Sequence, residues 1–160
     1  MWNGINVDGN VQMTSSSIRD AVLALNLKNG ATWQIGYSDF TSNADDISMK
    51  NTNGNNYITG TTFDHTVPLA DQQYGTGGFG TTAITIGQPS TGGPELIGGI
   101  NSGDGCTFLG GQYGIKSNNH NVNVIGCTFN GIIQHAIDFQ GNSTAITIGQ
   151  PSTGGPELIG

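Results

Sequence analysis

The chain has 160 residues, and Gly (27), Thr (18), Asn (17) and Ser (11) fill 73 of them, against only 20 for Ala, Leu, Glu and Lys together. Long helices need apolar stripes built from good helix formers, so a helical bundle is excluded, while 17 Ile and 12 aromatic residues exclude a disordered tail. Four basic residues against eleven acidic ones give a net charge of −7, which disfavours nucleic acid and anionic membrane as partners.

In chain order, two apolar columns run in step. Ile18 is followed seven residues later by Leu25, Phe40 by Ile47 and Phe108 by Ile115, and Phe129 is followed eight residues later by Ile137. The four Phe are spaced 23, 45 and 21 apart through Phe63, which reads as one, two and one turns of about 22 residues. Ile18 lies 22 residues before Phe40 and extends the series. A small residue stands two places before each Phe: Ser38, Thr61, Cys106 and Cys127. Apolar and polar residues alternate in Ala83-Ile84-Thr85-Ile86 and Val122-Asn123-Val124, the pattern of strands with one buried face. Asn, Gly and Ser clusters such as Asn51-Thr52-Asn53-Gly54-Asn55-Asn56 mark the corners between them.

Short strands, tight corners and a 22-residue repeat predict an all-β fold, a parallel β-solenoid with one repeat per rung. Rungs then stack about 4.8 Å apart, and equivalent side chains form columns inside. An antiparallel sandwich has no reason to keep such a period. The whole chain, 1–160, reads as one solenoid segment. Phe63 and Ile84 are 21 residues apart where other rungs use seven or eight, so residues 64–80 are expected to leave the stack as a loop carrying Tyr74 and Phe79. Residues 82–98 recur without one change as residues 144–160, an offset of 62. This reads either as duplication of a roughly three-rung cassette or as an error in assigning the terminal sequence.

Met1-Trp2-Asn3-Gly4-Ile5-Asn6-Val7, Ser17-Ile18-Arg19-Asp20-Ala21, Ile35-Gly36-Tyr37-Ser38-Asp39-Phe40, Tyr113-Gly114-Ile115-Lys116-Ser117 and Gly126-Cys127-Thr128-Phe129-Asn130 together resemble a known group. They are similar to the right-handed parallel β-helix regions of large secreted surface proteins of the type IX secretion kind, within the pectate-lyase-like superfamily. The resemblance spans residues 1–143, and its motifs are structural. It implies a right-handed solenoid, an extracellular or cell-surface location and a role in adhesion or surface architecture. Neither the signal peptide nor the sorting domain of such proteins stands in this sequence, so a piece of a longer chain or assembly is expected, with further chain or subunits of the same protein as partners.

Candidate chemistry is sparse. Asn43-Ala44-Asp45-Asp46 resembles compressed acid motifs of glycosidases with this fold, but Gly-His-Gly and Arg-Ile-Lys are missing. Neighbouring strand residues face opposite ways, so Asp45 and Asp46 cannot flank one sugar without a bulge, and both are expected in solvated corners. A lyase would need a Ca²⁺ carboxylate cluster and a base, yet Arg19 is the sole arginine and has Asp20 beside it, while Asp104 and Asp138 stand singly. His65, His120 and His135 show no ligand-like spacing, and His120 is expected to be exposed in a polar corner. Cys106 and Cys127 are expected as stacked, buried free thiols without an activating cation. Thr59, Thr61 and Thr85 offer only fragments of an ice-binding array. Hence no catalytic, metal or cofactor site is assigned. The expected function is a non-enzymatic structural or adhesive segment that contacts carbohydrate or another surface; the alternative is a polysaccharide lyase or hydrolase of the same fold.

Overall fold

The computed structural model describes residues 1–50, 56–69, 79–87, 95–99, 101, 103–141 and 146–149. Among them the regular structure is seventeen short strands and no helix. Each turn of chain contributes three strands. The first is β1 (Ile5–Val7), β2 (Asn10–Thr14) and β3 (Ser17–Arg19); the second is β4 (Leu23–Leu27), β5 (Thr32–Gly36) and β6 (Asp39–Thr41). The third is β7 (Asp45–Lys50), β8 (Tyr57–Thr59) and β9 (Thr62–His65), and the fourth is β10 (Thr82–Gly87), β11 (Glu95–Gly98) and β12 (Thr107–Gly110). The fifth is β13 (Tyr113–Asn118), β14 (Val122–Ile125) and β15 (Thr128–Asn130), after which β16 (His135–Gln140) and β17 (Ile146–Gly149) begin a sixth.

Strands pair only with their counterparts one turn away, always in parallel. They form a first sheet β1-β4-β7-β10-β13-β16, a second sheet β2-β5-β8-β11-β14-β17 and a third sheet β3-β6-β9-β12-β15. The chain is therefore a parallel β-solenoid of three sheets and about five turns, as the repeat predicts.

One inner column from each sheet fills the interior. Leu25, Ile47, Ile84, Ile115 and Ile137 stack in the first sheet, and Met13, Ile35, Ile58, Ile97 and Val124 in the second. In the third sheet Phe40, Phe63, Phe108 and Phe129 lie ring on ring, with centroids 5.2, 4.9 and 4.6 Å apart and planes within 15° of parallel. Each fully buried ring contributes about 1.5–3 kcal/mol of burial, and stacking adds to it.

Phe63 pairs directly with Phe108. The 45 residues between them are thus one turn, not the two that the spacing suggests. The fourth turn keeps its three strands but lengthens the connections before β10, between β10 and β11, and before β12, so residue count overstates the number of rungs. The segment 64–80 also differs from expectation at its start. Asp64 and His65 complete β9, with His65 and Leu69 buried, while Phe79 is half exposed. Tyr74 lies outside the described residues.

The two copies of Ile-Thr-Ile-Gly occupy different sheets. Ile84 in β10 pairs with Ile47 and Ile115, whereas β17, Ile146–Gly149, pairs with β14 in the second sheet. Two turns on from Ile84 lies Ile137, and Ile146 comes nine residues later. Duplication of whole turns would return both copies to one sheet, so the offset of 62 is not a whole number of turns.

Candidate functional site

Two polar clusters sit inside the solenoid, each built from an Asn, an acid and a His in that chain order: Asn43, Asp46 and His65 around the third turn, and Asn56, Glu95 and His120 on three successive turns. In the first, Asn43 Oδ1 accepts from the Ala21 amide at 2.9 Å, and Asn43 Nδ2 donates to Ile18 O and to Asp46 Oδ1 at 3.0 and 2.9 Å. The other carboxylate oxygen of Asp46 lies 2.8 Å from His65 Nε2, and all three side chains are buried. The second repeats this order: the Trp33 amide donates to Asn56 Oδ1 at 2.9 Å, Asn56 Nδ2 to Glu95 Oε1 at 3.5 Å, and His120 Nε2 lies 3.3 Å from that same oxygen. Each Asn clamps the backbone of the preceding turn and hands its second donor to the acid.

Burial pushes the Asp46 carboxyl above its ordinary pKa, against the opposing charge and hydrogen bond of His65. For His65, burial works downward, but the charge and hydrogen bond of Asp46 outweigh it, and its pKa ends raised. Space for the ring comes from two glycines. A Cβ on Gly80 would lie 2.6 Å from His65 Cδ2, and one on Gly111 would lie 2.5 Å from Nδ1.

These contacts correct two expectations. Asp46 and His120 are core residues rather than solvated corner residues. In the first sheet strict alternation fails at the same register in turns two to five, where consecutive residues are both buried: Ala24 and Leu25, Asp46 and Ile47, Ala83 and Ile84, Gly114 and Ile115. Small residues fill that column in other turns, which leaves room for the Asp46 carboxylate. Asp45 is half-buried and held by the Thr81 hydroxyl and, at 3.2 Å, by the Thr82 amide. The remaining candidates stay apart. Arg19 lies 3.8 Å from Asp20, the exposed ring of His135 stacks on Tyr113, and Asp138 accepts from Gln140. Thr61 is buried, while Thr59 and Thr85 belong to different sheets, so they share no face.

Cys106 and Cys127 are free thiols in the small-residue column. Ser16, Ser38 and Thr61 each donate to the carbonyl two residues back at 2.9 Å; Cys106 turns instead to Ile58 O at 3.4 Å, and Cys127 lies between Ile97 O at 3.5 Å and the carbonyl two residues back, Ile125 O, at 3.6 Å. The contact with Cys127, then burial, pushes the Cys106 thiol well up, while the same contact lowers that of Cys127.

Outside, a groove of about 260 Å³ crosses the second sheet over β2, β5 and β8. Its floor is Gln12, Gln34 and Tyr57, aligned in register, beside Thr14, Gly36 and Thr59. Gly36 is the notch between the two threonines: a Cβ there would meet only Thr59 Oγ1, at 3.5 Å. Tyr37 forms one wall. It holds a left-handed φ of 50°, and its ring lies against Gly60, where a Cβ would come within 2.6 Å of it. The Tyr37 hydroxyl donates to Asp104 Oδ1 at 2.6 Å, Asn101 Nδ2 donates to Asp104 Oδ2 at 2.8 Å, and the Gly60 amide holds the Asp104 carbonyl at 2.6 Å. The Tyr37 hydrogen bond, then that of Asn101, lowers the Asp104 pKa, and the same bond and the Asp104 charge raise Tyr37.

Sequence reasoning missed this groove. Tyr37 and Asp104 are 67 residues apart and meet only because the long fourth turn brings its last corner back over Gly60. The tyrosine next to a corner serine was the available signal. Among the described residues, Asp104 is the one carboxylate lining the groove, whereas glycoside hydrolysis uses two, about 5–9.5 Å apart. An aromatic wall, two carboxamides and hydroxyls are means of binding.

Comparison with family models, with curated proteins and with solved structures finds no match to this chain.

Proposed function

We propose that this solenoid is a non-enzymatic structural and adhesive segment of a secreted or cell-surface protein, of the kind its sequence resembles. Its partners are further chain or subunits of the same protein and a carbohydrate-bearing surface. One observation carries the reading: the two acids with His partners, Asp46 and Glu95, are buried inside the core against His65 and His120. A group fixed in the interior and clamped to the backbone of a neighbouring turn serves the stack. The hydrogen-bonding and aromatic groups on the outside are arranged as a contact surface, with the rigid solenoid spacing them. Incubation with a panel of acidic and neutral polysaccharides tests the reading. Neither new reducing ends nor unsaturated uronates should form; steady release of either by the purified chain would make it an enzyme.

A further inference from the structure

We propose that the groove over β2, β5 and β8 binds a neutral polysaccharide chain, with one sugar ring seated against the open face of Tyr37. This rests on the adhesive reading above and names its ligand class.

Tyr37 is 56% exposed although its ring is fixed on one side by Gly60 and at its hydroxyl by Asp104. An exposed aromatic held on two sides loses little freedom when a ligand arrives, so binding carries a small ordering cost. Its free face offers apolar surface of the kind that the C–H face of a pyranose covers, with a polar rim alongside. Gln12 and Gln34 supply carboxamides that both donate and accept, on adjacent rungs about 4.8 Å apart, a spacing suited to successive sugar hydroxyls.

Charge selects against acidic sugars. None of the four basic residues lines the groove. Lys28 is paired with Asp8 at 3.0 Å, Arg19 lies by Asp20, and Lys116 sits 3.3 Å above the Tyr113 ring. Asp104 instead places a carboxylate at the rim, its pKa held low, so a uronate would meet like charge. The notch at Gly36 lies between Thr14 and Thr59 and admits a substituent, such as a hydroxymethyl group, that a side chain would block.

The test is affinity electrophoresis of the 160-residue chain in native gels containing soluble β-glucan, galactomannan or polygalacturonate. Retardation is expected in at least one neutral gel and not in polygalacturonate. Tyr37→Ala and Gly36→Leu should each weaken it about tenfold or more. Gly36→Leu is the safer variant, because its Cβ makes only an ordinary contact, with Thr59 Oγ1, and its φ is not strained. Melting curves of both variants show whether they fold. Migration unaffected by both neutral polymers overturns the proposal, as does retardation that survives in both folded variants, or a preference for polygalacturonate. Reducing ends measured in the same incubations separate the two readings. Polymer cleavage would overturn the non-enzymatic function and leave groove binding intact, whereas silent gels without cleavage overturn only the groove.

Discussion

Burying His65 against Asp46 takes both groups out of water, and the pair is held by the amide of Asn43 on one side and glycines 80 and 111 on the other. Such a pair adds little net stability, but breaking it strands a charge. Its proton linkage has a definite sign. The folded pKa of His65 is raised, so its contribution is complete below the ordinary value of about 6.5 and is lost as pH rises through the folded value. Asp46 is also raised, with the same sign beginning near pH ~4. Urea midpoints should therefore fall between pH 6 and pH 9, and His65→Gln should flatten that dependence; an unchanged slope in the variant would place the titration elsewhere. Phe108 is a different case. It is sandwiched between Phe63 and Phe129 with no exposed surface, and Phe108→Ala should cost about 3–5 kcal/mol in denaturant melts, because the adjoining rungs are hydrogen-bonded and cannot close the gap. A loss under about 1 kcal/mol would put Phe108 outside the column. The Phe column was legible because each Phe closes a like string with a small residue two places before it, even though the spacings are unequal. Asp46 and His120 were not, because polar residues in Asn-rich corners look solvated until the stack turns them inward.

At the scale of the element, corners and connections decide what the strands leave open. Gly36 and Gly80 both lack strained dihedrals, yet they tolerate a side chain differently. A Cβ on Gly80 would lie 2.4 Å from Asn43 O and 2.6 Å from His65, while one on Gly36 makes only an ordinary contact. Gly80→Ala should thus lower stability by about 1–3 kcal/mol through overpacking, and Gly36→Ala should change it little, as paired thermal melts would show. Equal effects would mean that the approach of residue 80 to the first polar cluster is wrong. Strand periodicity and corner composition were readable from the sequence, as were the inner columns of the first and third sheets. The long fourth turn was not. Its inserted connections add residues without adding rungs, and nothing in composition separates a rung from a connection of similar length.

For the whole molecule, the same physics explains how one sequence serves in two sheets. Ile-x-Ile alternation fits any strand with one inward face, and both sheets offer inner Ile and Val columns at the same rise. Placement is then set by the length of chain preceding the segment, which differs for residues 84–87 and 146–149. The fourth turn holds the molecule's features together: a single rung spanning 45 residues aligns the Phe rings, brings Asp104 to Tyr37 and so builds the groove. Its most direct test is a through-hydrogen-bond scalar coupling in isotopically labelled protein. The Thr107 amide donates to the Thr61 carbonyl at 2.9 Å, so a coupling between Thr107 ¹⁵N and Thr61 ¹³C′ is predicted. Coupling of Thr107 instead to a carbonyl among residues 82–90 would insert a rung between Phe63 and Phe108 and contradict the structure described.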